Sequence, residues 1–507
     1  MHITTILAFA CLFWHAEGLG AWRFVRNDDV LWTLTATIAW PLVLGGAAAI
    51  VGRRVRNLLS ARPDAPDSAH LFHHRAMGVL RILLLCGFGV AVLGTNWPSW
   101  FAYGRVTPAL QLFGDLIVVS PFLLGALLQW MASFRVERAF HQSTEGGGRS
   151  LRLRSYLDFN IRHQFLVVAV PMTLILFAAN LVRGYEAPLR RWSGWIWTPD
   201  VVLVVCACAV FITAPLLLCR IWRTEPLEAG PLRERLELIC ERIGLRCRDI
   251  LIWKSDGLMI NAAVMGIFAP VRYVLLSDAL LSTMDVRQVE AVFGHEAGHV
   301  RHRHIQHFLV FALLGWIVAA ASMEVLARTL GGAPGQPGLS LTAIQGIGAA
   351  VTLVFWGIGF GWVSRRFERQ ADVFGAQCVV ADGVDDCGQP CSVHRSEDTT
   401  VAQAGIAQAG RVCATGAEVF ASALKRVAVL NGIPVEERSW RHSSIGSRIR
   451  FLLSLAGDPA RAERFDRLIR RIKMGMVAAA VVGSLASAYY WSTVSQPSLA
   501  KFQAGVF

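Results

Sequence analysis

His295-Glu296-Ala297-Gly298-His299 reads H-E-x-x-H inside a stretch of helical pattern. On a helix, positions i and i+4 share one face, so the two histidines can hold one metal ion between them. Glu296 then stands beside that ion, where a carboxylate can take a proton from water. Val289, Val292 and Phe293 give the helix a buried side, and Asp285 is placed as its N-cap. Two histidines are not a full set, because a catalytic zinc ion takes three protein ligands and keeps one position for water. The compact route to a third ligand, H-E-x-x-H-x-x-G-x-x-H, is closed: residue 302 is His and residue 305 is Ile. The third ligand must come from farther along the chain.

Upstream, Leu232, Leu236, Ile239 and Ile243 recur at helical spacing from Pro231, and Gly244 is a natural stop. Asp249–Trp253, Asn261–Gly266 and Val271–Leu276 read as short strands, the last two separated by Ala269-Pro270. Ser277 and Asp278 then lead back into helical sequence. The order of helix, small sheet and metal-binding helix predicts an α+β unit.

That unit is embedded in a chain of unusual composition. Of 507 residues, 54% are hydrophobic and 17% charged, and the mean hydropathy is +0.46. Such values belong to membrane proteins with polar parts. Eight apolar stretches approach or reach the roughly 20 residues a span needs: 30–52, 79–97, 108–132, 165–183, 200–221, 306–328, 341–363 and 474–491. The apolar run Ile3–Trp14 is shorter and leaves a signal segment or a further span as alternatives for residues 1–17. Arginines crowd the loops 53–78 and 133–164, while the loop 329–340 has no basic residue. By the positive-inside rule, 53–78, 133–164, 222–305 and 364–473 face the cytoplasm, and the metal motif with them. The net charge of +13 follows from this topology and from the anionic lipid it faces. No aromatic-basic binding motif accompanies it, so nucleic acid is not an expected partner. Away from the span ends, Asp115 and Glu324 are the charged residues within the spans, which argues against a transport path.

Arg365-Arg366-Phe367-Glu368-Arg369-Gln370-Ala371-Asp372 follows the span 341–363 directly. Glu368 and Asp372 are four apart on the expected helix, so one carboxylate can bind metal while the other orients a histidine. Taken alone, the same octapeptide also suits a charged helix anchored at a membrane edge.

Together, HEAGHVRHRH and FERQAD resemble the membrane metallopeptidase family of HtpX and the type I CAAX prenyl endopeptidases. The resemblance covers about 225–455 and implies a multi-span α-helical membrane protein with an α+β, zincin-like metallopeptidase domain. It implies one catalytic Zn²⁺ on His295, His299 and Glu368, with Glu296 as base and Asp372 supporting the ligands from behind. His304 matches a histidine of many CAAX-type relatives and is not expected to be a ligand. Asn261-Ala262-Ala263 resembles the family strand that pairs with extended substrate. Arg441-His442-Ser443-Ser444-Ile445-Gly446-Ser447-Arg448 resembles a late H-P-x-x-x-x-R motif with Ser443 in place of Pro. It implies that His442 stabilises an oxyanion and that Arg448 pairs with the acidic site residues. The implied partners are the bilayer and a peptide or protein substrate, membrane-embedded or lipidated.

The expected organisation is a membrane region 1–221 with about five spans, then the first half of the metallopeptidase domain at 222–305. Two spans at 306–363, the second half at 364–473 and a last span and tail at 474–507 complete it. The second half carries a polar insertion, 378–415, with Cys378, Cys387, Cys391, His394 and Cys413. Cys387-x-x-x-Cys391-x-x-His394 has the spacing of a second, structural metal site, and a loop of free thiols is the alternative. Five spans before the motif resemble the CAAX-type layout more than the HtpX type. Three functions stay open on these grounds: a CAAX-like endopeptidase, an HtpX-like quality-control protease, and a non-catalytic membrane sensor or scaffold.

Overall fold

The computed structural model describes residues 2–16, 29–61, 66–101, 108–144, 152–330, 338–379, 412–456 and 458–493. Among the described residues, eight helices are long and apolar enough to cross a membrane: Val30–Ala61, Leu71–Gly94, Gln111–Ala139, Leu153–Gly184, Thr198–Ile221, His304–Leu330, Ala343–Cys378 and Ala460–Tyr490. The eight apolar stretches read from the sequence each overlap one of them. The chain is a multi-span integral membrane protein. Several helices run past their apolar stretch, because helical hydrogen bonding continues through charged turns once the apolar part has set the axis. This matters at 361–378, where Glu368 and Asp372 sit on the continuation of a spanning helix.

The chain divides into two compact units. The first comprises Met1–Glu225, Ile252–Ile260 and Ser277–Ala279 and holds five of the spanning helices. Its core gathers Leu44, Leu84, Phe88, Val118, Phe122 and Leu176, joined by Ala8, Phe9 and Leu12 of a helix at His2–Ala16. Asp115 is buried there and accepts hydrogen bonds from Asn180 at 3.0 Å and Gln111 at 3.3 Å. Such satisfaction is what a carboxylate needs in a packed apolar bundle.

The second unit comprises Pro226–Leu251, Asn261–Leu276 and Leu280–Phe507. Its first helix, Pro231–Ile243, ends on Gly244 at φ 65°, a left-handed stop. Strands β1 (Thr224–Pro226), β2 (Asp249–Trp253), β3 (Ala262–Met265) and β4 (Tyr273–Ser277) form one sheet in the order β1-β2-β4-β3. β3 pairs antiparallel with β4, Ala262 opposite Leu276 and Met265 opposite Tyr273, and lies at the sheet edge. β4 begins at Tyr273 rather than Val271, because Ala269–Val271 form a 3₁₀ turn around Pro270, which lacks the N–H a ladder needs. Gly266 ends β3 at φ 99°, and a Cβ there would sit 2.8 Å from the Arg272 Cα, so the turn requires glycine.

Asp285 caps the helix Val286–Arg301, accepting from the Gln288 N–H at 2.8 Å. This helix crosses Gly361–Cys378 at short range. The contact face is built from Gly294, Gly298, Ala371 and Gly375. A Cβ on Gly298 would stand 3.2 Å from the Ala371 Cα, and one on Gly375 would stand 2.9 Å from the Ala291 carbonyl. Small residues on both faces allow the backbones to approach, which brings short side chains from the two helices within reach of each other. After Arg301 the chain turns sharply through Arg303, at φ 55°, into the spanning helix His304–Leu330.

Candidate metal centre

His295 and His299 project from one face of the helix Val286–Arg301, and Glu368 reaches them from Gly361–Cys378. One donor atom from each lies within 4.8 Å of the others, the one such three-residue group among the described residues. The two Nε2 atoms are 3.3 Å apart. The Glu368 carboxylate lies 3.7 Å from His295 Nε2 and 3.8 Å from His299 Nε2. Two nitrogens bound to one zinc at about 2.05 Å in tetrahedral geometry would be about 3.3 Å apart. The donor spacing therefore fits that ion.

The atoms behind these candidate ligands fit as well. His295 Nδ1 lies 3.0 Å from Asp372 Oδ1, and His299 Nδ1 lies 3.0 Å from His304 Nδ1. A ring that shares its Nδ1 proton with a partner turns a bare Nε2 the other way. Two imidazole nitrogens and a carboxylate facing one point make a candidate cation site. Asp372 is fully buried and is held by Arg448, whose Nη2 lies 2.5 Å from Oδ1 and whose Nε lies 2.9 Å from Oδ2. The same guanidinium stands 3.7 Å from Glu368. His442 Nδ1 lies 3.0 Å from Glu368 Oε1.

These surroundings set the charges. Burial works to lower the pKa of His295, and the hydrogen bond and charge of Asp372 overcome it, so it is raised. His299 is pushed down to about 4 by burial first and by His295 next, which favours the neutral imidazole a metal needs. Glu296 is pushed up to about 7, chiefly by burial and then by the charge of Glu368, while His295 and the Val264 N–H pull it back. A carboxyl held there changes protonation readily near neutrality. Burial opposes the charge of Arg448, and Asp372 and Glu368 overcome it, holding its pKa above the usual value.

The residues singled out from sequence thus fall into three groups. His295, Glu296, His299, Glu368, Asp372, His442 and Arg448 meet around one point. Asn261 immediately precedes β3 and Ala262 and Ala263 open it, and the Val264 N–H of that strand reaches Glu296. The cysteines belong elsewhere. Cys378 is buried beside Gly294, and the Cys413 Sγ caps the helix Ala414–Leu430 through the Gly416 N–H at 3.2 Å. Cys387, Cys391 and His394 lie outside the described residues. Sequence reasoning passed over Gln370, which lies between the two carboxylates and receives His304 Nε2 at 3.0 Å. It passed over Glu290 too, buried one turn before the motif and ion-paired to Arg235. Each is one more polar residue in a charged stretch until its neighbours are known.

An H-E-x-x-H helix crossed by a helix carrying a third, acidic candidate ligand, in a chain with eight helices fit to span a membrane among the described residues, defines the class of integral-membrane metallopeptidases. Residues 226–416 match peptidase family M48. A protease HtpX homologue of Pyrobaculum calidifontis is 32% identical over 267 residues, 52% of this chain and 73% of the relative. A second, from Pyrobaculum islandicum, is 29% identical over 142 residues, 27% of this chain and 39% of the relative. The crystal structure of Ste24p from S. mikatae shares the fold at a TM-score of 0.50 and 16% identity, over 84% of this chain and all of that one. The chain belongs to peptidase family M48. Glu368 and Asp372 lie inside the family match, and His442 and Arg448 lie beyond it.

Proposed function

We propose that this chain is a zinc-dependent endopeptidase that hydrolyses peptide bonds at the cytoplasmic face of a membrane, with a CAAX-protease-like layout. The observation that carries the reading is the convergence of His295, His299 and Glu368 with Glu296 beside them and a buried partner behind each histidine. Bound there, zinc supplies a Lewis acid that acidifies water and polarises a carbonyl. Glu296 takes the proton from the attacking water and hands it to the leaving amine, a transfer suited to a carboxyl whose pKa is raised by burial. Asp372, clamped by Arg448, fixes the ring of His295. His442 holds Glu368 through Nδ1 and keeps Nε2 for the oxyanion that develops on the substrate.

The edge position of β3 supports an extended substrate. In an antiparallel pair, alternate residues turn their N–H and C=O to the same side. The Val264 N–H turns toward Glu296, so the Ala262 backbone faces that way too, and a peptide laid along this edge passes the base. Five spans before the motif and a cytoplasmic placement from the arginine-rich loops favour a CAAX-like substrate near a lipidated C-terminus. The relatives named HtpX favour clipping of damaged membrane proteins as the second reading.

The test is cleavage of an unfolded membrane protein and of a prenylated peptide by the detergent-purified chain, with E296Q beside it at matched zinc content. Cleavage by wild type alone supports the proposal, and the preferred substrate separates the two readings. Zinc-loaded wild type that cleaves neither substrate points to the sensor or scaffold.

A further inference from the structure

Behind His299 a line of polar groups runs from the metal site to the last spanning helix. His304 Nδ1 lies 3.0 Å from His299 Nδ1, and His304 Nε2 lies 3.0 Å from Gln370 Oε1. Lys473 Nζ, on the helix Pro459–Thr493, donates to that same Gln370 oxygen at 2.8 Å and to the His302 carbonyl at 2.9 Å. His304 is fully buried, its ring flat against Phe367 with centroids 4.4 Å apart. The Lys473 ammonium stands 5.2 Å from the centroid of that phenyl ring. Ile469 and Met476, about one turn to either side of Lys473, pack into the cluster that contains Phe367 and Phe311. The line is therefore held by four helices at once.

The hydrogens along it are determined from one end. An ammonium has donors and no acceptor, so it fixes the Gln370 amide with its oxygen turned inward. That oxygen only accepts, so His304 carries its proton on Nε2. A neutral imidazole protonated there has a bare Nδ1. The hydrogen between the two Nδ1 atoms then belongs to His299, which leaves the His299 lone pair on Nε2, the atom facing His295 and Glu368.

We infer that Lys473 is a positioning residue for the metal site: through Gln370 and His304 it selects the His299 tautomer whose Nε2 binds zinc. This rests on the reading of His299 as a zinc ligand. The two ligand histidines are then set by unlike devices. His295 is oriented by an ion pair, Asp372 with Arg448, and His299 by a relay whose first member belongs to a membrane helix. Without the lysine, the amide can reverse. Its NH₂ would face His304 Nε2, move the His304 proton to Nδ1, and set that proton against the one on His299.

The relay predicts an effect opposite in sign to simple electrostatics. Removing a positive charge near a cation site should tighten zinc binding, whereas breaking the relay should weaken it. The experiment is zinc affinity of the full-length, metal-depleted protein in detergent, by competition with a chelator, alongside the melting temperature of the metal-depleted form. K473M is expected to weaken zinc about tenfold, the lower end for loss of a group that orients a ligand. K473R, which keeps the donors, is expected to bind as wild type. H304F keeps a flat ring against Phe367, has no nitrogen, and should weaken zinc too. In the H304F background K473M should cause no further loss, since the relay is already cut. If K473M does not fold, Q370M removes the same shared oxygen and carries the same expectation. Binding by K473M as tight as wild type or tighter overturns the relay, as does a further loss on top of H304F. H299A separates the two levels: it must lose zinc, and retained affinity there overturns the ligand reading itself.

Discussion

Gly375 is not a ligand, yet G375A should disable the metal site. A Cβ at this position would lie 2.9 Å from the Ala291 carbonyl, 3.0 Å from the His295 backbone nitrogen and 2.5 Å from Cε2 of Phe420. The phenyl ring can rotate aside, but the other two atoms are backbone of the helix that carries the histidines. Optimal contact for carbon begins at about 3.5 Å, so the two helices must part by about half an ångström. Alanine is worth about 1 kcal/mol over glycine in a helix interior, and overpacking costs about 1–3 kcal/mol. These terms oppose each other, and the loss of global stability should stay below about 2 kcal/mol. The site has no such compensation. Metal–ligand distances tolerate about 0.2 Å, so a shift of half an ångström between His295 and Glu368 exceeds what the ion accepts. Zinc affinity should fall at least tenfold, about 1.4 kcal/mol, with activity falling alongside while the protein remains folded. The assay is chelator competition on metal-depleted protein, with peptidase rate and melting temperature on the same samples. G475A is the control, because a Cβ there meets nothing within 4 Å. Wild-type zinc affinity in G375A would refute the claim that the glycine contact sets the ligand spacing.

Other outcomes follow from the same geometry. E296Q should retain zinc and lose on the order of 10²–10⁴ in rate, the usual contribution of a general base; turnover near wild type in a zinc-loaded sample would remove Glu296 from that role. R448M leaves the Asp372 carboxylate, fully buried, and Glu368 without their cation. Stripping one partner from a buried pair costs about 3–5 kcal/mol, so thermal unfolding should shift down clearly, with R448K intermediate because it keeps the charge and loses the two-pronged contact. An R448M melting curve that overlays wild type would count against the clamp. Zinc at a hundredfold excess over its dissociation constant should stabilise the folded form by about 2.7 kcal/mol; equal melting temperatures with zinc and with a chelator would argue against a bound ion.

The spacing of His295 and His299 and the choice of residue 296 are local facts, because one turn of helix places i and i+4 on the same face whatever surrounds it. The spans were legible for a similar reason: an apolar run long enough for a bilayer states its environment in its own composition. Gly244 and Asp285 announced helix ends through backbone chemistry confined to a few residues. Glu368 and Asp372 were visible as a pair, yet their spacing alone left open which one faces the metal. That is decided by the crossing of two helices through Gly294, Gly298 and Gly375, a contact between residues about 80 positions apart in sequence. The contact of His442 with Glu368, and the meeting of His304 with Gln370 and Lys473, are of the same kind. A lysine on the last spanning helix and a glutamine between two carboxylates carry no local signal of a shared hydrogen bond. Hydrogen bonds between distant side chains depend on where packing leaves the helices, so the sequence by itself supplied the candidate ligands and the tertiary structure decided which atom of each one faces the proposed metal position.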